Sequence, residues 1–226
     1  MKNKVRENPT RISRSKAATR ESYNCLSRWY DALASGSERR AAEQGWQQLG
    51  LHAGERVLEL GPGTGHGLTA AAQAVGLAGR VLGLDLAEGM LTVARARVRA
   101  AGLAERVALH HGDATRLPYP AATFDAVSMS FTLELFDSPD LAEVLGECRR
   151  VLRPGGRLGV VAMSDQDPPR LPVRLYLWAH THWPALVDCR PIQVCACLEA
   201  AQFQITAVTR LSVWGLPVEA VTATKV

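Results

Sequence analysis

The chain has 226 residues, 47% of them hydrophobic and 21% charged, with 19 glycines and 12 prolines; one α/β domain with a short appendage fits that length, and collagen-like, low-complexity and wholly disordered chains are excluded. The formal net charge of +4 is concentrated at the start, since Met1 to Arg20 hold seven Lys/Arg against one Glu and leave the remaining residues at −2. Nucleic acid is therefore not expected as a partner of the body, and the basic arm is left as a solvated tail, an organelle transit segment or an RNA contact.

In chain order, the first 20 residues are polar, with no apolar core of the kind that a secretory signal needs, so the cytoplasm is the expected compartment and the five cysteines read as thiols. Ala17 to Leu33 and Glu38 to Leu49 read as helices. From Arg56 onward short β-branched or Leu-rich runs alternate with helical patterns, the signature of a parallel sheet with crossover helices. The expected strands are Arg56 to Leu60, Arg80 to Asp85, Arg106 to His110, Phe124 to Met129 and Arg157 to Met163. Gly61 to Gly79 is the longest uncharged stretch, but Gly, Ala, Thr, Gln, Pro and His fill much of it, so no membrane span is expected. A helix runs from about Ala87 to Ala101 and closes at Gly102. The clearest helix lies before the fifth strand: Asp137 or Ser138 caps it, Pro139 suits its first turn, and Leu141, Val144, Leu145, Cys148, Val151 and Leu152 form its apolar face. Arg153-Pro154-Gly155-Gly156 ends it. Beyond Met163, helices are expected at Leu171 to Leu186 and from about Pro191 to Ala200. Phe203 to Thr209 and Pro217 to Thr224 then read as an antiparallel pair of strands added to the sheet.

Val57-Leu58-Glu59-Leu60-Gly61-Pro62-Gly63-Thr64-Gly65-His66-Gly67 is a strand running into a glycine turn that opens a helix, an arrangement that brings bare backbone close to a ligand. A dinucleotide fingerprint would need its third glycine at His66 or Leu68, and a phosphate loop would need Gly-Lys-Ser/Thr, with no lysine nearby. Neither pattern fits. What remains is Glu59 before the turn, Asp85 at the end of the second strand and Asp113, in Gly112-Asp113-Ala114, beyond the third. All three acids fall at one edge of the sheet, where open α/β folds bind ligands. Two carboxylates suit a cationic, hydroxyl-bearing ligand. Each acid also has a plainer reading: Asp85 could cap the next helix and Asp113 could hold a turn.

Glu59-Leu60-Gly61-Pro62-Gly63-Thr64-Gly65, Gly83-Leu84-Asp85-Leu86, Gly112-Asp113-Ala114 and Arg150-Val151-Leu152-Arg153-Pro154-Gly155-Gly156 resemble the ordered motifs of class I S-adenosylmethionine-dependent methyltransferases, over roughly Trp29 to Met163. The resemblance implies a Rossmann-like, doubly wound, seven-stranded α/β sheet, mostly parallel with a C-terminal antiparallel strand and helices on both faces. It divides the chain into a basic arm with a lid helix (residues 1–36) and a methyltransferase domain (37–226). It also implies that Glu59, Gly61, Gly63, Gly65, Asp85, Leu86, Met90, Asp113, Ala114, Ser130 and Phe131 bind S-adenosyl-L-methionine. In such enzymes the glycine turn lies against the methionine part, an acid like Asp85 holds the ribose hydroxyls, the next residue flanks the adenine, and an acid like Asp113 bonds its amino group.

Trp29-Tyr30-Asp31, Arg150 to Gly156 and Gly215-Leu216-Pro217-Val218 resemble the branch containing ubiquinone and menaquinone C-methyltransferases and small-molecule N-methyltransferases. Quinone enzymes of this kind carry an acid and a serine at the end of the fifth strand. Ala162-Met163-Ser164 keeps only the serine, so the acceptor stays open among amine, lipid-like and quinone-like molecules. RNA methylation through the arm and non-catalytic cofactor binding are the alternatives, and a homodimer is a compatible assembly. Glu134, in the loop after the fourth strand, is a candidate to hold an amine or act as base, or is a solvated helix-start acid. Of His180 and His182, two apart on a helix, at most one faces the pocket, and His180 is the catalytic candidate beside a surface or core reading. Tyr30 is a candidate for closing the site as part of a lid. No metal is expected: His110 and His111 oppose each other on a strand, Cys195 and Cys197 diverge on a helix, and Cys148, on an apolar face, reads as core packing, with soft-metalloid binding as the other reading of the thiols.

Overall fold

The computed structural model describes residues 21, 36–165 and 190–226. The basic arm, Tyr30 and the helix expected at Leu171 to Leu186, with His180, lie outside the described residues. The described elements are α1 (Gly36–Leu49), β1 (Arg56–Leu60), α2 (His66–Ala74), β2 (Arg80–Asp85), α3 (Glu88–Ala100), β3 (Val107–His111), β4 (Phe124–Ser130), a 3₁₀ turn (Leu133–Leu135), α4 (Ser138–Val151), β5 (Leu152–Met163), α5 (Val194–Ala200), β6 (Phe203–Val213) and β7 (Leu216–Lys225).

The seven described strands form one sheet in the order β3-β2-β1-β4-β5-β7-β6. β1 to β5 pair in parallel and β7 runs antiparallel to both of its neighbours. The strand order reverses between β1 and β4, and the crevice outside the carboxyl ends at such a switch point is where open α/β sheets bind ligands. Alternation along the strands assigns the two faces. Leu58 and Leu60 of β1, Val127 and Met129 of β4, and Leu158, Val160 and Ala162 of β5 pack against Val144, Leu145 and Cys148 of α4 and Val194 and Leu198 of α5. On the other face Val57, Val81 and Ala126 meet Trp46 and Leu49 of α1, Leu68, Ala71 and Ala72 of α2, and Ala94 and Val98 of α3.

β6 shifts register between Ile205 and Ala207. The extra residue moves the buried parity of the strand from one face to the other. Phe203 and Ile205 join the α4 and α5 side, whereas Leu211 and Val213 pack with Ala41 of α1, Val161, Val218 and Ala220. The strand accordingly runs on to Val213, past the expected end at Thr209.

Two expected boundaries need correction. α4 stops at Val151, and Leu152, expected on the helical face, is already extended (φ −71°, ψ 138°) and paired with Phe124. Proline disfavours helical backbone before it, and pairing with β4 draws Leu152 into the sheet. α5 begins at Val194, three residues after Pro191. Ile192 is held extended instead, donating its N–H to Met163 O at 3.0 Å and accepting that of Asp165 at 3.1 Å.

Candidate functional site

The registers Leu60↔Leu84 and Leu60↔Met129 bring the next residues, Gly61, Asp85 and Ser130, to one level at the carboxyl edge of the sheet. The glycine turn starts there, with Gly61 N–H bonded to Leu84 O and Gly65 N–H to Pro62 O, both at 2.9 Å. Gly61, Gly63 and Gly65 have φ of +64°, +53° and +86°, the left-handed region that side chains rarely adopt. Space adds a second constraint at two of them. A Cβ on Gly61 would stand 2.5 Å from Thr132 Oγ1, and one on Gly65 3.0 Å from Ala94 Cβ, where α2 meets α3. At Gly63 no described residue lies within 4 Å of that position. The open side of the turn is therefore at Gly63.

Two carboxylates stand beside this opening. Asp85 accepts the Ala87 N–H through Oδ1 at 2.8 Å and the Gly63 N–H through Oδ2 at 3.4 Å. It fastens the approach to α3 to the glycine turn but does not cap the helix, whose N-cap is Ala87 with no side-chain cap bond. Burial pushes its carboxyl up to about 6, against the pull of the Ala87, Gly63 and Leu86 N–H groups and of His111. Glu59, 4% exposed, lies on the face covered by α1 and α2. Burial, then the charge of Asp85, pushes it up to about 8. Among the described residues its Oε2 has no hydrogen-bond partner, and neither does Nε1 of Trp46. Both side chains border Gly67, where a Cβ would lie 2.2 Å from Glu59 Oε1 and 2.7 Å from Trp46 Nε1. An unpartnered buried carboxyl oxygen is costly, and a cation or hydrogen-bond donor placed there would relieve it.

The other expected residues are distributed around that centre. Leu86 is partly buried, its carbonyl accepting from His111 Nε2 at 3.0 Å, and Met90 is buried on the inner face of α3. Asp113 holds a turn, its Oδ1 accepting the N–H and the hydroxyl of Thr115 at 2.9 and 2.8 Å. Ala114 belongs to the main core. Ser130 has a buried hydroxyl oxygen without a partner among the described residues. Phe131 follows with φ +52°, its N–H bonded to Val161 O at 2.7 Å; left-handed backbone at a bulky residue is strain of the kind that clusters at functional sites. Glu134, 1% exposed, is not a solvated acid, since its Oε1 accepts the Met163 N–H at 3.3 Å and ties the 3₁₀ turn to the end of β5.

Thr132 and Trp46 were not singled out from the sequence. Thr132 is buried against Gly61 and hydrogen-bonds Ser130 O at 3.0 Å; its only signal was its place directly after the fourth strand. Trp46 lies on the inner face of α1, where apolar spacing reads as core. Cys148 is buried and its thiol is pushed up to about 12 by burial. Cys195 and Cys197 pack partly buried against the main core. Among the described residues no group of three His, Cys, Asp or Glu is placed to hold a metal.

Residues 57–156 match the family model described as a methyltransferase domain. The demethylmenaquinone methyltransferases of Lactiplantibacillus plantarum and Lactobacillus johnsonii are 37% and 35% identical over 142 and 137 residues, which is 63% and 61% of this chain. That stretch is similar to a methyltransferase domain, and the relatives that it matches are quinone methyltransferases. The matched stretch spans 59% and 55% of those two relatives' own length. A S-adenosylmethionine-dependent methyltransferase from Aquifex aeolicus superposes on this methyltransferase fold with a TM-score of 0.65 at 26% identity, covering 87% of this chain and 96% of that one. The [4+2]-cyclase SpnF shares the fold with a TM-score of 0.75 at 20% identity, covering 94% and 97%.

Proposed function

We propose that this chain transfers a methyl group from S-adenosyl-L-methionine to a small, apolar acceptor of the lipid-like or quinone-like class. The observation that carries the reading is the pairing of Asp85 with the glycine turn beside an unpartnered, buried oxygen of Glu59. The residues present fit the cofactor: an open backbone face at Gly63, carboxylates for hydroxyl donors and for a cation, and no lysine between Lys16 and Lys225 that a phosphate would call for. When bound, S-adenosylmethionine supplies an electrophilic methyl on a sulfonium.

Asp85 holds the ribose hydroxyls, Glu59 lies towards the charged methionine end, and Leu86 and Met90 border the adenine. Asp113 keeps one oxygen in its turn and Ala114 closes the adenine side. Ser130 and Phe131, at the end of β4, face the place where the acceptor enters. Glu134 positions that rim by holding the Met163 N–H. Transfer is then driven by alignment and exclusion of water. Tyr30 and His180 stay in the reading as lid and acid-base groups.

Support for the acceptor class comes from the relatives, which are named for demethylmenaquinone. RNA methylation is not favoured. We read the location as cytoplasmic, since five cysteines in a chain of this length make no small disulfide scaffold. Among the described residues no helix is long and apolar enough to cross a membrane. Asp85→Ala removes an acceptor that serves two hydroxyls, each charge-assisted bond contributing roughly 1.5–3 kcal/mol, so cofactor affinity should fall at least a hundredfold. Calorimetry with S-adenosylhomocysteine measures this, and unchanged affinity would remove the ribose assignment. Incubation with labelled cofactor and a demethylated quinone tests the acceptor.

A further inference from the structure

The hairpin between β6 and β7 turns through Trp214 and Gly215, with φ of +51° and +78°. Positive φ at both central residues is the type I′ geometry, in which Asn, Asp and Gly are favoured and a bulky side chain is strained. The fold gains nothing in return, because Trp214 is 64% exposed. Neither turn chemistry nor core packing accounts for an indole at this position.

Its location supplies a reason. β7 runs antiparallel to β5 with Val218 opposite Met163, so the tip projects past the end of β5 at the carboxyl edge of the sheet, on the side of the glycine turn and Ser130. An apolar cluster links the two places, with Phe131 and Leu211 packed against Val161, Val218 and Val213. We propose that Trp214 inserts into the interfacial region of an anionic lipid bilayer and so turns the acceptor edge of the sheet towards the membrane surface.

The turn is two residues long, too small for the roughly 1,000 Å² that a protein interface needs, whereas one indole, apolar in body with a polar N–H, suits the headgroup boundary. A single insertion gives marginal binding and needs a second signal. The sequence provides one in the arm, seven Lys/Arg against one Glu from Met1 to Arg20, whose charge complements an anionic leaflet. The proposed function bears on this inference only in supplying a lipid-like acceptor; bilayer binding is read without turnover.

The test is flotation of the full chain with vesicles of phosphatidylcholine and phosphatidylglycerol, compared with Trp214→Asn. Asparagine fits the type I′ turn, so this variant should unfold at a higher temperature while partitioning about tenfold more weakly, the loss expected for withdrawing one large apolar side chain from an apolar phase. Lipids with brominated chains should quench fluorescence of the parent and not the part that Trp214→Asn retains. Equal partitioning of the two proteins, a parent that does not float at low salt, or quenching unchanged by the substitution would each overturn the inference. Flotation with quenching supports it whether or not a quinone is methylated, which keeps its failure distinct from that of the proposed function.

Discussion

Glu59 and Asp85 make the ligand-free chain sensitive to pH in an unusual direction. A carboxyl raised to about 8 keeps its proton in the folded chain at pH values where the unfolded chain has already lost it. The folded state then binds more protons than the unfolded one, so stability falls as pH rises from the ordinary carboxylate range through about 8. Asp85, at about 6, adds to the lower part of that window. The unfolding temperature should therefore decline across it, and Glu59→Gln should flatten the decline above pH 6, which thermal scans at several pH values will show. A cationic ligand favours the ionised carboxylates, so cofactor affinity should strengthen over the same window. Proton release, seen by calorimetry in buffers of different ionisation enthalpy, checks that sign. Glu134 acts through geometry. Glu134→Ala leaves the Met163 N–H without its acceptor and should cost roughly 1–3 kcal/mol of stability, whereas Glu134→Gln keeps an oxygen there and should unfold near the parent temperature.

The glycine turn separates folding from binding within one element. Gly65→Ala meets both a positive φ and the backbone of Ala94 at 3.1 Å, so it should destabilise the chain by about 1–3 kcal/mol. Gly63→Ala carries the backbone strain alone, but its methyl group occupies the open side of the turn. Its loss of cofactor affinity should exceed its loss of stability, as paired calorimetry and unfolding measurements would reveal. This turn was legible in the sequence because φ and close approach restrict three positions to one residue type at fixed spacing. The limits of β1 and β2 were equally legible, Arg56 and Arg80 opening short apolar runs. The ends of α4 and α5 were not, since Leu152 and Ile192 are drawn out of their helical patterns by strand partners distant in the chain, and no local periodicity encodes a distant partner. Trp46 was missed for a similar reason: its spacing marks a core face, and only assembly puts its indole nitrogen beside Glu59.

For the whole molecule, five parallel strands and a closing antiparallel pair could be read from alternating patterns and from the resemblance of the ordered motifs. The insertion of β7 between β5 and β6 places the C-terminal segment inside the sheet, where Val218, Ala220, Val221 and Ala223 are buried. The acceptor was not legible to the same degree. Side chains that meet an acceptor come from separate loops with no fixed spacing, and a fold shared with a [4+2]-cyclase leaves the chemistry to the site.

α1 also has a bearing on how the chain is made. Gln48 Nε2 bonds Ala207 O, Ala220 O and Thr222 Oγ1, and Thr209 donates its hydroxyl to Gln48 Oε1, partners that follow it by 159 to 174 residues. At ribosomal speed that separation corresponds to roughly 10–30 seconds of elongation. Throughout that interval the Gln48 carboxamide lacks its hairpin partners, although Trp46 and Leu49 already have Val57, Leu68, Ala71 and Ala72 to pack against. The earliest described helix is thus seated early but locked late, and a nascent chain halted before Thr222 would leave the Gln48 side of α1 without its polar partners.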